Sequence, residues 1–182
     1  MIVSIVVSLS GSGMVDDMAV CAFVSFRLGL TDGVSVVAGH WQRAVESMGF
    51  DTVTVAGEGP VDRTVAGLEL AAANPPDLDE LRAALADADL IVVENLCTIP
   101  LNLPAARAVA EMCAGRPTVM HHHDPPWQRA HFAHITELPI EDPAWRHVTI
   151  NDLTRDQFHD RDIDAVRILS LIHISEPTRL SW

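Results

Sequence analysis

Val119-Met120-His121-His122-His123-Asp124-Pro125-Pro126-Trp127-Gln128-Arg129 is the stretch on which the reading of the fold turns. A short apolar run stops abruptly in three histidines, an aspartate and two prolines. In an open α/β sheet, ligands bind at the carboxyl ends of the strands. An apolar strand closed by titratable, hydrogen-bonding side chains is therefore a candidate ligand edge. On a strand, His121 and His123 share one face and His122 takes the other.

Working outward, the same apolar-then-polar pattern recurs. Ala19–Phe26 and Ile2–Ser8 compete for the first strand. The former is favoured, because a glycine-containing loop and a helix follow it as a βα unit requires. Residues 1–18 are then either an upstream extension, with Met14 or Met18 as a start, or an extra edge strand. Helical spacing of Val36, Val37, Trp41, Ala44, Val45 and Met48 predicts a helix over Ser35–Phe50, with Ser35 as a cap and Gly49 at its end. Thr52–Ala56 reads as a strand and 61–76 as irregular. A helix capped by Asp77 runs to about Asp87, with Glu80 three residues on as in a capping box. Leu90–Val93 is a buried strand with Glu94–Leu101 as its exit loop. Asn102 and Pro104 open a helix that Gly115 ends. Pro117–Met120 opens a strand that the histidines close. His147–Ile150, a helix over Asp152–Asp160 and a strand from Ala165 to Ile168 complete the series. Alternating strands and helices with continuous apolar strands predict a parallel sheet covered on both faces.

Composition narrows the function. The net charge is −13, and every one of the 12 basic side chains is an arginine. Such a chain is repelled by phosphate backbones, which disfavours nucleic acid as a partner. Cys21, Cys97 and Cys113 are odd in number and show no Cys-x-x-Cys spacing, which fits reduced thiols in a cytoplasm. No apolar run approaches the roughly 18–20 residues of a membrane helix.

Three strand-end loops would meet at one sheet edge. Arg27–Ser35 is the first; Gly33 lets backbone approach a ligand, and the helix N-terminus after it favours an anion. It is neither a Walker loop nor a G-x-G-x-x-G fingerprint. The second is Glu94-Asn95-Leu96-Cys97, whose polar pair could bind a sugar or order its neighbours. The third is the histidine run, where Trp127 could stack on a sugar or simply pack. Arg129 is a partner for a carboxylate or phosphate. A metal reading draws on His121, His123, Asp124, His131 and His134, with His131 and His134 on one helix face, since imidazole suits zinc or iron. No H-E-x-x-H motif accompanies them.

Together, SFRLGLTDGVSVVAGHWQRAVESMGF (25–50), ADLIVVENLCTIPLN (88–102), PTVMHHHDPPWQR (117–129) and WRHVTINDLTRDQF (145–158) resemble the N-terminal domain of bacterial retaining GT-B glycosyltransferases, the large family with sucrose and trehalose synthases and phosphatidylinositol mannosyltransferases. Order and spacing carry the resemblance, over about Val20 to Ile168. It implies a Rossmann-like α/β domain, residues 19–168, forming the acceptor-side half of a two-domain cytoplasmic enzyme. The whole enzyme would transfer a hexose from a nucleotide-diphosphate sugar to an acceptor with retained configuration. No cofactor is implied beyond the donor substrate, and peripheral membrane association of the full-length enzyme stays open. Carried over by position, His123 and Asp124 become the catalytic candidates, with His122 the alternative contact to the sugar. Gly33, Val34, Ser35, Asn95, Trp127, Arg129 and Asn151 become candidate substrate-binding residues. The chain departs from the family pattern where Asp32-Gly33 replaces a double glycine.

The last segment breaks the fold pattern. Leu169 to Arg179 resembles an in-frame translated sequencing adaptor, so 169–182 is set aside as a non-native tail. The expectation that follows is a truncated, inactive fragment whose C-terminal domain is missing. Two other readings remain open: a metal-dependent hydrolase built on His121–Asp124, and a non-catalytic sugar-binding domain.

Overall fold

The computed structural model describes residues 18–168. The candidate strand Ile2–Ser8, nearly all of the 1–18 extension and the adaptor-like 169–182 lie outside the described residues. Seven parallel strands form one sheet: β1 (Val20–Arg27), β2 (Asp51–Glu58), β3 (Arg63–Thr64), β4 (Leu90–Glu94), β5 (Thr118–His122), β6 (Trp145–Thr149) and β7 (Ala165–Arg167). Their spatial order is β3-β2-β1-β4-β5-β6-β7. From β1 the chain builds outward to β3, then crosses back to the other side of β1. That reversal between β1 and β4 is the switch point at which open α/β sheets open a crevice for ligands. The expected Rossmann-like α/β fold is the observed one.

Among the described residues, four α-helices cover the sheet: α1 (Gly33–Glu46), α2 (Leu78–Ala84), α3 (Leu103–Cys113) and α4 (Asp152–His159). Strand alternation sorts the core into two layers. Cys21, Phe23, Leu90 and Val92 pack on Val37, Trp41 and Val45 of α1. Ala22, Val24, Ile91, Val93 and Met120 face the other way, onto Leu81 of α2 and Ala105, Ala106 and Val109 of α3. Phe158 of α4 lies on this second side, 4.5 Å from the His122 ring. A sheet packed on both faces explains why its strands read as unbroken apolar runs. Cys21, Cys97 and Cys113 are all buried and free, and burial pushes the Cys21 and Cys113 thiols up to about 12. Among the described residues no helix is long and apolar enough to cross a membrane.

Several predicted boundaries shift, each for a local reason. Helix α1 begins at Gly33, because Asp32, not Ser35, is its cap, accepting from Val34 N and Ser35 N. It ends at Glu46 rather than Phe50, and the chain turns through Gly49 at φ 91°. Helix α2 stops at Ala84, where the Arg63 guanidinium takes the Ala84 carbonyl and pairs with Asp87. Strand β2 outruns Thr52–Ala56, since it pairs with β1 from Val20↔Asp51 to Arg27↔Glu58. The irregular 61–76 contains the two-residue β3, held beside Val55 and Ala56. Pairing with Thr118 starts β6 at Trp145. Residues 130–134, where His131 and His134 were to share a helix face, form turns instead. Gly59 leaves β2 at φ 103°, where a Cβ would stand 2.0 Å from the Leu28 carbonyl oxygen. Only glycine allows the exits of β1 and β2 to pass that closely.

Candidate functional site

Parallel register brings Glu94, the last residue of β4, directly beside His121 of β5. Both side chains point to the α1 face, and His123 follows at the end of the strand. Glu94 Oε2 lies 2.9 Å from His121 Nδ1 and 3.1 Å from His123 Nε2. The first approach is too poorly aligned for a hydrogen bond and leaves His121 Nδ1, His121 Nε2 and Glu94 Oε1 buried without partners. The second is a hydrogen bond. Trp41 of α1 lies over the His121 ring at 4.4 Å, and His121 lies against His123 at 4.6 Å. Burial works to raise the Glu94 pKa, but the two imidazoles outweigh it and hold the carboxyl at about 2. Burial pushes His121 down, against the pull of Glu94.

Among the described residues, Glu94, His121 and His123 are the group whose ligand atoms lie close enough for a metal ion, all within 4.8 Å. Structural zinc closes on four ligands, and a hydrolytic metal keeps a position open to water. Glu94 is 0% and His121 1% exposed, so this three-ligand interior matches neither pattern. Of the five ligands the sequence suggested, only His121 and His123 belong to it.

His122 points the other way and is sealed. Thr98 Oγ1 lies 2.7 Å from its Nδ1, and His147 Nδ1 lies 2.9 Å from its Nε2. Phe158 closes the third side. Burial pushes His122 well below its ordinary value and His147 down to about 4, so both rings are neutral at neutral pH. As the alternative sugar contact, His122 is therefore corrected to a core histidine.

At the switch point, a cavity of about 170 Å³ opens between the ends of β1, β4 and β5. Ser25, Arg27, Asp32, Asn95 and Asp124 supply its polar wall; Phe26, Leu70 and Ile99 supply apolar surface. Asn95 organises it. Its backbone sits at φ 58°, its Oδ1 accepts from His123 N (3.2 Å) and Asp124 N (3.1 Å), and its Nδ2 donates to Asp124 Oδ2 (3.3 Å). Each arginine nearby already has a carboxylate: Arg129 pairs with Asp124, and Arg27 Nε lies 3.5 Å from Asp32. The wall is thus charge-balanced and rich in hydroxyl partners.

The Gly33-Val34-Ser35 turn lines this region, but its amides are spoken for. Asp32 Oδ1 accepts from Val34 N (3.1 Å) and Ser35 N (3.2 Å), and Ser35 Oγ donates to Asp32 Oδ2 (2.9 Å). A phosphate arriving at this helix N-terminus must displace a carboxylate of the same charge. Asp32→Ala is expected to cost about 1 kcal/mol of stability for the lost cap. It should also create a rise in melting temperature on adding inorganic phosphate. A similar phosphate effect in the unsubstituted chain would show that Asp32 does not block the anion.

Other expected contacts are redirected. The Trp127 indole N–H donates to Gln157 (2.8 Å), its ring meets Phe158 edge-on, and the Arg161 guanidinium lies over it at 4.0 Å, so it packs away from the switch-point cavity. Asn151 caps α4, accepting from Thr154 N at 2.8 Å. His123, Asp124, Asn95, Val34 and Arg129 do gather at one edge. Glu94 as a partner of both histidines, Asp32 as a cap, and the Thr98–His122–His147 chain were not anticipated. Glu94 had a legible signal: it ends an apolar strand as His121 nears the end of the next, and adjacent parallel strands end together.

No family model matches the chain. It is 26% identical to mannosylglucosylglycerate synthase of Thermotoga maritima, over 86% of this chain and 46% of that protein. The chain thus spans about half the length of the curated relative it matches. A solved structure of a T4 phage BGT mutant in complex with UDP-glucose resembles it with a TM-score of 0.44 and 14% identity, covering 81% of this chain and 45% of that one.

Proposed function

We propose that this chain is the acceptor-side domain of a nucleotide-sugar-dependent glycosyltransferase of the GT-B type. The whole enzyme moves a hexose from a nucleotide diphosphate to a hydroxyl acceptor with retained configuration. The observation that carries the reading is the cavity at the switch point. Its Asp32, Asn95 and Asp124 offer hydroxyl-binding groups, and His123, next to Asp124 in sequence, directly follows β5. Similarity over most of the chain to a protein named as a mannosylglucosylglycerate synthase supports the chemistry. In this reading Asp124 binds a ligand hydroxyl, Arg129 holds Asp124 in place, and His123 meets the transferred sugar. The donor's diphosphate is held by a second domain that faces this one across the cleft, because Asp32 occupies the helix N-terminus here.

The test is the uninterrupted gene. A second α/β domain with paired glutamates is expected in the natural sequence beyond Ile168, and the joined protein should transfer labelled hexose from nucleotide donors. The 182-residue chain alone should bind sugar without turnover. A natural stop directly after Ile168, or sugar transfer by the chain alone, would overturn the reading. The metal-dependent hydrolase is not favoured, because the Glu94 group offers no open position.

A further inference from the structure

We infer that Glu94 is the positioning residue of His123: it holds the hydrogen on Nε2, fixes the ring's tautomer and presents Nδ1 as the acceptor facing the ligand. This rests on the proposed function only in assigning a sugar hydroxyl to Nδ1; the tautomer itself is independent of that reading.

The geometry carries the assignment. Glu94 is fully buried at the end of β4, and its Oε2 lies 3.1 Å from His123 Nε2 in a hydrogen bond. An ionised carboxylate can only accept, so the imidazole must donate from Nε2. The neutral ring then carries its lone pair on Nδ1. That nitrogen has no hydrogen-bond partner among the described residues, and the side chain is 8% exposed.

The ring has little freedom to do otherwise. Asn95 Oδ1 grips the backbone amides of His123 and Asp124, and the His121 carbonyl accepts from Asn95 N at 2.9 Å. His121, itself held under Trp41, lies against the His123 ring. The order carboxylate, imidazole, outward lone pair is the one by which a buried acid orients a histidine toward a hydroxyl. With Glu94 behind it, His123 offers Nδ1 as the acceptor of a hydrogen bond that a ligand hydroxyl donates. The buried carboxylate also explains why Glu94 ends a strand without touching the cavity.

Long-range proton–nitrogen NMR of the ¹⁵N-histidine-labelled chain reads the tautomer directly, with His123 assigned by loss of its signals in His123→Asn. In its neutral form, His123 is expected to carry its hydrogen on Nε2 alone. Glu94→Gln should remove that single preference. An Nδ1-protonated ring in the unsubstituted chain overturns the inference, and so does an unchanged tautomer in a folded Glu94→Gln. If Glu94→Gln does not fold, the unsubstituted chain still decides. Stoichiometric zinc that replaces the Nε2 hydrogen also overturns it and makes the group a metal centre. A hexose that leaves the Nδ1 resonance unmoved counts against the transferase reading while the tautomer result stands.

Discussion

Lowering the pH from about 7 to about 5 is expected to cost the folded chain about 3–4 kcal/mol, most of it from two buried histidines. His122 and His147 share a hydrogen bond in the core, and burial keeps both far below the ordinary value of 6.5, His147 at about 4. The unfolded chain protonates them as pH falls through 6.5, whereas the folded chain does not. Unfolding therefore takes up protons, and each ring contributes up to about 1.4 kcal/mol of lost stability per pH unit below that point. Above pH 7 the effect vanishes, since both states are neutral. The sealed carboxylate acts in a lower window. The Glu94 pKa is lowered to about 2, so its contribution is present above its ordinary value of 4.5 and fades only as pH falls toward 2. Urea unfolding at the two pH values measures the loss. His147→Asn keeps a polar partner for His122 but removes one titrating ring, and should roughly halve the pH slope between 6.5 and 5. Equal unfolding free energies at the two pH values would show that these rings are protonated without opening the core.

One half of this expected acid lability, His122, looked like a ligand group in sequence. Three histidines at a strand end are as readily a binding cluster as a packing device, and alternation alone divided them between two faces. What no local pattern could reveal was the company each face keeps. His122 is sealed because β6 places His147 opposite Met120, two residues back on the same face, and α4 lays Phe158 over both. His121 is sealed by Trp41, which belongs to a helix some eighty residues earlier in the chain. These are tertiary neighbours set by strand order, and strand order was the one topological feature the alternation of elements left unstated. The architecture itself was legible, because a sheet buried on both sides must be written in continuous apolar runs such as Leu90–Val93. The caps were half legible. Asp77 and Asn102 fall where expected, accepting from the amides of their own first turns. Asp32 was overlooked because Gly33 and Ser35 suggested an anion loop, although an aspartate before a helix is the commoner arrangement. Asn151 and Trp127 looked like ligand contacts for the same reason: side chains that cap and pack are also those that bind sugars.

Asn95→Ala is expected to destabilise the chain by about 3 kcal/mol or more and to abolish sugar binding at the cavity. Two separable losses make up the figure. The first is conformational: at φ 58° the backbone is left-handed, which costs alanine roughly 1 kcal/mol more than asparagine or glycine. The second is polar: His123 N and Asp124 N both donate to Asn95 Oδ1, and removing that acceptor strands two partly buried amides at about 1 kcal/mol or more each. Asn95→Gly separates the two, since it keeps the backbone and loses the acceptor, and should recover about 1 kcal/mol of stability without recovering binding. Asn95→Asp keeps the acceptor and the tolerance for a left-handed backbone, but sets a carboxylate against Asp124 where an amide now donates. It should fold nearly as well as the parent below the carboxylate range and lose stability as both acids ionise. Melting curves order the three variants, and saturation-transfer NMR with hexose reports the site. If alanine and glycine bind sugar as the parent does, the His123–Asp124 turn keeps its shape without Asn95, and the cavity's specificity must then rest on Asp32 and Arg27 across the switch point.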